Sequence, residues 1–268
     1  MRRLAATFDR LRDLNESAFM PFLVIGDPNF ETSMKLSRTV IEAGADILEF
    51  GFAFSDPPAD GPVIQLADQR ALAAGFTTQK AFEFMATLRK ETEVPFALLI
   101  YYNLILQRGL DNFYRQAAEV GIDAVLIADL PIEEAEEMIA VAAKYEVAPI
   151  FIVTELSSEQ RIKQLAAVAK GYFYVVTNLG VTGTRDSVTD SLQSTVEKLR
   201  PHTDLPLLAG FGISEPEHVH NVLKAGADGA IVGSALIKRI QKHLESPEKM
   251  LAEVSELCRE LKNATKPQ

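Results

Sequence analysis

Apolar and β-branched residues recur along the chain in eight short, nearly unbroken runs. They are "AFMPFLVIG" (18–26), "DILEFG" (46–51), "PFALLIYYN" (95–103), "DAVLIAD" (123–129), "APIFIVT" (148–154), "YFYVVT" (172–177), "PLLAGFG" (206–212) and "GAIVGS" (229–234). Such runs, without polar alternation, mark strands covered on both faces, as in parallel sheets. Between them the spacing changes to that of amphipathic helices, at 31–45, 78–91, 109–121, 132–145, 158–170, 191–200 and 215–226. Several helical patterns end in Gly just before the next strand, the expected C-cap placement. Strand and helix alternating eight times predict an α/β fold, a (β/α)8 TIM barrel, with 1–268 forming a single domain. A doubly wound open sheet is the alternative, but its usual glycine-rich turn after the first strand is missing from "GDPNFE".

Two departures from the alternation matter. "MRRLAATFDRLRDL" carries Leu4, Phe8 and Leu11 on one helical stripe, with Asp9, Asp13 and Glu16 in or beside it. That predicts a docked N-terminal helix rather than a transit peptide. Strands two and three are separated by far more sequence than the others, which leaves room for an extra helix, "PVIQLADQRALAAG" (62–75), and a long loop before it. Long excursions within compact domains are usually functional. Two further helices and a polar tail follow residue 235.

With 268 residues, of which 47% are hydrophobic, the chain can bury a sizeable core. The net charge of −10 and the lack of basic runs argue against nucleic acid as a partner. No stretch is long and apolar enough to span a membrane. The lone Cys258 forms no internal disulfide and fits a reducing compartment, so the expected location is the cytoplasm.

In a barrel of this kind the chemistry sits where strands run into the following helices. None of His202, His218, His220 and His243 follows a strand end, and the nearest lysine, Lys238, lies inside the last repeat's helix. Histidine-metal and Schiff-base chemistry both lose their residues. Carboxylates remain. With a period of two, Ile47, Glu49 and Gly51 share one face of strand two, and Leu48 and Phe50 the other. The bulky pair suits packing against helices, so Glu49 points into the barrel near its mouth. Desolvation there raises its pKa toward neutrality, where a carboxyl can pass protons both ways. A buried structural Glu paired with a cation is the other reading, but no Lys or Arg close in sequence offers the pair. Asp56 and Asp60 lie in the next loop, stiffened by Pro57, Pro58 and Pro62. Taken singly, each reads equally as a solvated turn residue. A Mg²⁺ site from Glu49, Asp56 and Asp60 is disfavoured because all three come from one strand end.

Glycines form the second constellation: "GVTG" (180–183), "GFGIS" (210–214) and "GSA" (233–235) at three consecutive strand ends. They let backbone N–H groups approach an anion, and Ser214 or Ser234 would cap the helix that follows. Together they predict a phosphate corner. The polar stretch 180–191 suits a lid that closes over the substrate. Phe22, Tyr101, Tyr102, Tyr174 and Phe211 sit at strand ends, where they either fill the core or wall a flat aromatic pocket. The set suits acid–base chemistry on an aromatic sugar phosphate.

"PFLVIGDP", "AGADILEFGFAFSDPPADGPVIQ", "YYN", "IADLP", "GVTGTR", "GFGIS" and "ADGAIVGSA" occur in this order over essentially the whole chain. On these motifs the sequence resembles the tryptophan synthase α-subunit family. The resemblance implies a lyase that cleaves indole-3-glycerol phosphate to indole and glyceraldehyde 3-phosphate in tryptophan biosynthesis. It makes Glu49 the proton carrier and Asp60 the acceptor of the indole N–H. Phe22, Ile64, Tyr101, Ala128, Tyr174 and Thr182 would line the indole pocket. Gly183, Gly212, Gly233 and Ser234 would hold phosphate. It implies no cofactor or metal in this chain. It also implies a β-subunit partner carrying pyridoxal phosphate, met by Asp56, in an α2β2 assembly. Phe50, Phe52, Ala53, Pro58, Val24 and Leu104 depart from the usual residues, and Glu155 follows strand five. Those departures keep two other readings open: a stand-alone indole-producing lyase, and a weakly active regulatory partner of a β subunit.

Overall fold

A computed structural model describes residues 1–176, 185–210 and 212–267. In chain order the elements are α1 (Arg2–Asp13), β1 (Ala18–Val24), α2 (Phe30–Glu42), β2 (Leu48–Gly51), α3 (Pro62–Ala73), α4 (Thr78–Arg89), β3 (Phe96–Ile100), α5 (Tyr102–Arg108), α6 (Leu110–Glu119) and β4 (Ile122–Ile127). They continue with α7 (Glu136–Lys144), β5 (Ala148–Thr154), α8 (Glu159–Val168), β6 (Phe173–Val176), α9 (Arg185–Leu199), β7 (Leu207–Gly210), α10 (Pro216–Lys224), β8 (Gly229–Val232), α11 (Ser234–Lys242) and α12 (Pro247–Asn263). The eight strands pair in sequence order, and β8 pairs with β1, closing a parallel barrel. The predicted (β/α)8 fold, with its N-terminal helix and extra helix α3, is the observed one.

Side-chain alternation sorts the core into two parts. Leu48 and Phe50 join the outer cluster between strands and helices, whereas Ile47 joins the inner cluster with Met20, Ala97, Leu126, Ile150, Tyr172 and Ile231. Leu4 and Leu11 of α1 belong to the inner cluster, and Phe8 meets Tyr172 with ring centroids 6.4 Å apart. The first helix therefore covers one end of the barrel and leaves the other for the site. Phe50 and Phe52 are accommodated by further aromatics in the layer between strands and helices. Phe50 meets Phe84 and Phe96 edge-on at 5.9 and 5.4 Å, and Phe52 meets Phe76 and Phe82, each at 5.7 Å. Such pairs add roughly 0.5–1.5 kcal/mol each beyond the area they bury.

A Gly-x-Asp step recurs before three strands and ties the covered end together. Gly44, Gly121 and Gly226 take φ of +103°, +79° and +95°, the left-handed conformation that lets a helix stop and the chain turn. Two residues later, Asp46, Asp123 and Asp228 accept the backbone N–H of Phe19, Phe96 and Leu207 on the neighbouring strand at 3.0, 3.0 and 2.7 Å. Their remaining charge is met by Arg10 and Lys262, by Arg3, and by Arg200.

The chain differs from the sequence pattern in two helical segments. Strand three stops at Ile100 and α5 begins at Tyr102, inside the run "PFALLIYYN". The N–H of Tyr102 bonds Asp129 Oδ1 at 2.7 Å, which satisfies a first-turn donor from a distant loop. The helical pattern at 132–145 is a short 3₁₀ turn, Ile132–Glu134, followed by α7. Among the described residues no helix is long and apolar enough to cross a membrane.

Candidate active site

The strand ends of the open face enclose a cavity of about 320 Å³. Its floor and walls are inward residues near the C-terminal ends of the strands: Phe22, Glu49, Leu99, Leu126, Ile152, Tyr174 and Ile231. Strand seven contributes space instead of a side chain. A Cβ on Gly210 would lie 2.6 Å from Tyr174 Cε1 and 2.7 Å from its hydroxyl oxygen, so this glycine is what allows the Tyr174 ring its place. The β2–α3 segment, Ala59 to Ile64, forms one side of the cavity. Gly212, Ile213, Gly233, Ser234 and Lys238 also line it.

Glu49 is 1% exposed, and neither carboxylate oxygen has a hydrogen-bond partner among the described residues. In register it lies beside Phe22 on β1 and Ala97 on β3, so no neighbouring strand supplies a polar group at its level. Burial, with the nearby Asp60 charge as the smaller cause, pushes its pKa up to about 8. At neutral pH most of this carboxyl therefore carries its proton.

Asp60 is held differently. Its Oδ2 accepts the Tyr101 hydroxyl at 2.8 Å, and the same Tyr101 oxygen accepts the N–H of Ala59 at 3.2 Å. The Asp60 N–H closes a turn onto the Pro57 carbonyl at 3.2 Å, and Gln65 Nε2 donates to the Asp60 carbonyl at 2.8 Å. Burial raises the Asp60 pKa, while the Tyr101 hydrogen bond opposes the rise. Tyr101, 1% exposed, stacks on Phe54 with centroids 5.2 Å apart. It stands behind Asp60 instead of lining the cavity. A third carboxyl, Asp68 on α3, is 4% exposed and pushed up to about 8 by burial and by the charges of Asp60 and Asp27. The alternating pattern gave no reason to single it out.

The sequence-derived candidates thus divide. Phe22, Glu49, Asp60, Ile64, Ala128, Tyr174, Gly212, Gly233 and Ser234 meet at one cavity. Tyr102 does not line it, and Asp56 points elsewhere. The Asp56 side chain is exposed, accepts the Ser55 hydroxyl at 2.5 Å, and borders a separate open groove with Ala53, Phe76, Leu104 and Gln107. Thr182, Gly183 and Phe211 lie outside the described residues. Of the stretch 180–191, residues 185–191 are the first turns of α9, and the rest also lies outside the described residues. The expected serine caps are not found: Gly233 and Glu215 hold the N-cap positions of α11 and α10. Ser234 is instead the first residue of α11, and Ser214 contacts His218 Nδ1 at 3.3 Å. Sequence reasoning missed Leu99, Leu126, Ile152 and Ile231, which the alternation could have placed inward, and Lys238, whose spacing of four from Ser234 was the available signal.

Chemically, the cavity pairs a protonated, desolvated carboxyl with a second carboxyl held by a phenol, inside apolar walls. The α11 N-terminus opens onto the same space, and unpaired N–H groups of such a turn favour an anion. Among the described residues no group of three His, Cys, Asp or Glu side chains is arranged to hold a metal ion.

Over residues 8–266 the chain matches the family model described as tryptophan synthase alpha chain. A tryptophan synthase alpha chain of Methanothermobacter thermautotrophicus is 46% identical over 256 residues, covering 96% of this chain and 95% of that one. One from Escherichia coli O7:K1 is 45% identical over 267 residues, covering 99% and 100%. The crystal structure of tryptophan synthase subunit alpha from Legionella pneumophila superposes with a TM-score of 0.90 at 33% identity, covering 98% of each chain.

Proposed function

From the premise that the chain belongs to the tryptophan synthase alpha chain family, we propose that Glu49 and Asp60 carry its reaction. That reaction is the cleavage of indole-3-glycerol phosphate to indole and glyceraldehyde 3-phosphate, and the chain acts as the α subunit of tryptophan synthase. The observation that carries the proposal is the buried, unpartnered Glu49 carboxyl, raised to about 8 in a cavity shared with Asp60.

Glu49 in its protonated form delivers a proton to C3 of the indole. The ring becomes an iminium, with positive charge on its nitrogen. Asp60 accepts the ring N–H and stabilises that charge, and Tyr101 fixes the Asp60 carboxylate in place. The bond between C3 and the adjacent glycerol carbon then breaks, and its electron pair restores the aromatic ring. The hydroxyl on that carbon becomes the aldehyde carbonyl of the product. It loses its proton to the Glu49 carboxylate, which returns the enzyme to its starting state. Protonation makes the ring the electron sink, so each step uses only groups of this chain and the substrate. A pKa near 8 suits both transfers, because neither form of Glu49 is strongly disfavoured near neutral pH.

Apolar walls from Phe22, Leu99, Leu126, Ile152 and Tyr174 take the flat ring and exclude water. Ile64 and Ala128 complete the indole site, together with Thr182. The phosphate is held by Gly183, Gly212, Gly233, Ser234 and the α11 N-terminus, and Phe211 joins the aromatic wall. The chain works as one domain, 1–268, in the cytoplasm. Its partner is a β subunit that carries pyridoxal phosphate, joined in an α2β2 assembly, with Asp56 and its groove on the docking face. Incubation with indole-3-glycerol phosphate tests this. Indole and glyceraldehyde 3-phosphate should form in equal amounts, and faster when a β subunit is added. No indole, with or without β subunit, overturns the reading.

A further inference from the structure

We propose that Lys238 is a specificity-determining residue that binds the substrate's phosphate dianion from the rim of the cavity; this rests on the lyase reading above. Lys238 lies on α11, four residues after Ser234, so the two share a helix face. Helical side chains lean toward the N-terminus of their helix, which carries a Lys238 side chain back toward the Gly233–Ser234 corner. The cavity lining contains Lys238 together with Gly212, Gly233 and Ser234, the groups suited to an anion.

The other cations of α11 are already committed. Lys242 and Arg239 of α11 pair with Glu253 on α12 at 2.9 and 3.8 Å, and His243 reaches the same carboxylate at 2.7 Å. Lys238 makes no ion pair among the described residues, and it is the one cationic side chain in the described cavity lining. A dianion entering this space otherwise faces two carboxyls, Glu49 and Asp60, in a chain of net charge −10. Backbone N–H groups supply partial charges only. An ammonium on a flexible stem supplies a full compensating charge that follows the phosphate without fixing its angle. Lys238 therefore separates phosphorylated from unphosphorylated ligands, while the apolar walls recognise the ring in both.

The test uses the full chain, with Lys238→Gln and Lys238→Arg, and titrates glycerol 3-phosphate, inorganic phosphate and indole by calorimetry. Lys238→Gln should weaken both phosphate ligands roughly tenfold, the scale of a partly screened charge contact. It should leave indole affinity at the wild-type value, and Lys238→Arg should recover most of the loss. In turnover of indole-3-glycerol phosphate the Lys238→Gln defect should fall on KM rather than on kcat. Unchanged phosphate affinity in Lys238→Gln overturns the inference, as does an equal loss of phosphate and indole binding, which marks a structural role. A wild-type chain that binds glycerol 3-phosphate but releases no indole overturns the lyase reading instead, so the two failures are told apart.

Discussion

Replacing Glu49 by Gln should change how stability depends on pH, and the size of the change follows from the burial of one carboxyl. In the unfolded chain Glu49 titrates near its ordinary value of 4.5, and in the folded chain at about 8. Between those values the native protein keeps a proton that the unfolded chain has released. Stability therefore falls as pH rises through this window, by about 1.4 kcal/mol per pH unit and by about 5 kcal/mol in all. Gln fills the same space and has no proton to lose. The difference in stability, Glu49→Gln minus wild type, should climb by about 5 kcal/mol from pH 4.5 to above pH 8. Urea unfolding of both proteins at unit steps from pH 5 to 9 measures it. The difference matters more than either curve, because Asp68, also pushed up to about 8, gives both proteins a similar downward slope. A difference that stays flat across the window would show that Glu49 ionises freely in the folded protein. The electrostatic part of the account would then be wrong.

Tyr101→Phe removes the hydroxyl that donates to Asp60 at 2.8 Å and accepts from Ala59. It should cost about 1 kcal/mol in stability, raise the Asp60 pKa, and lower kcat/KM about tenfold with the acid limb of the pH profile moved upward; an unmoved limb contradicts the coupling. Gly210→Ala places a methyl 2.6 Å from Tyr174 Cε1. It should destabilise by about 1–3 kcal/mol and weaken indole binding, because the Tyr174 ring must move from the cavity wall. Wild-type indole affinity measured by fluorescence quenching would refute this.

What was legible in the sequence depended on local patterns. Period-two alternation fixed which face of β2 each residue takes, so the inward direction of Glu49 follows from Leu48 and Phe50 alone. Glycine at the end of several helical patterns marked where the next strand begins. Illegible features come from contacts between distant segments. The Tyr101–Asp60 bond joins residues 41 apart, and the Asp129–Tyr102 bond that starts α5 spans 27. Asp56 and Asp60 look alike in the same loop, yet one borders an exposed groove and the other the cavity. Only the turn of the loop against Tyr101 separates them. Lys238 escaped a search confined to strand ends, because a helix carries its side chains back over the strand end that precedes it.

The most direct test of the central claim is the rate of indole release from saturating indole-3-glycerol phosphate by Glu49→Gln and Asp60→Asn, each confirmed as folded by its urea transition. Both neutral variants keep the shape of the site and remove the proton carrier or the charge that stabilises the iminium. Each should lose at least about 100-fold in kcat, the scale of a positioned acid–base group. Release by either variant within a few-fold of wild type would contradict the assignment of the reaction to these two carboxyls.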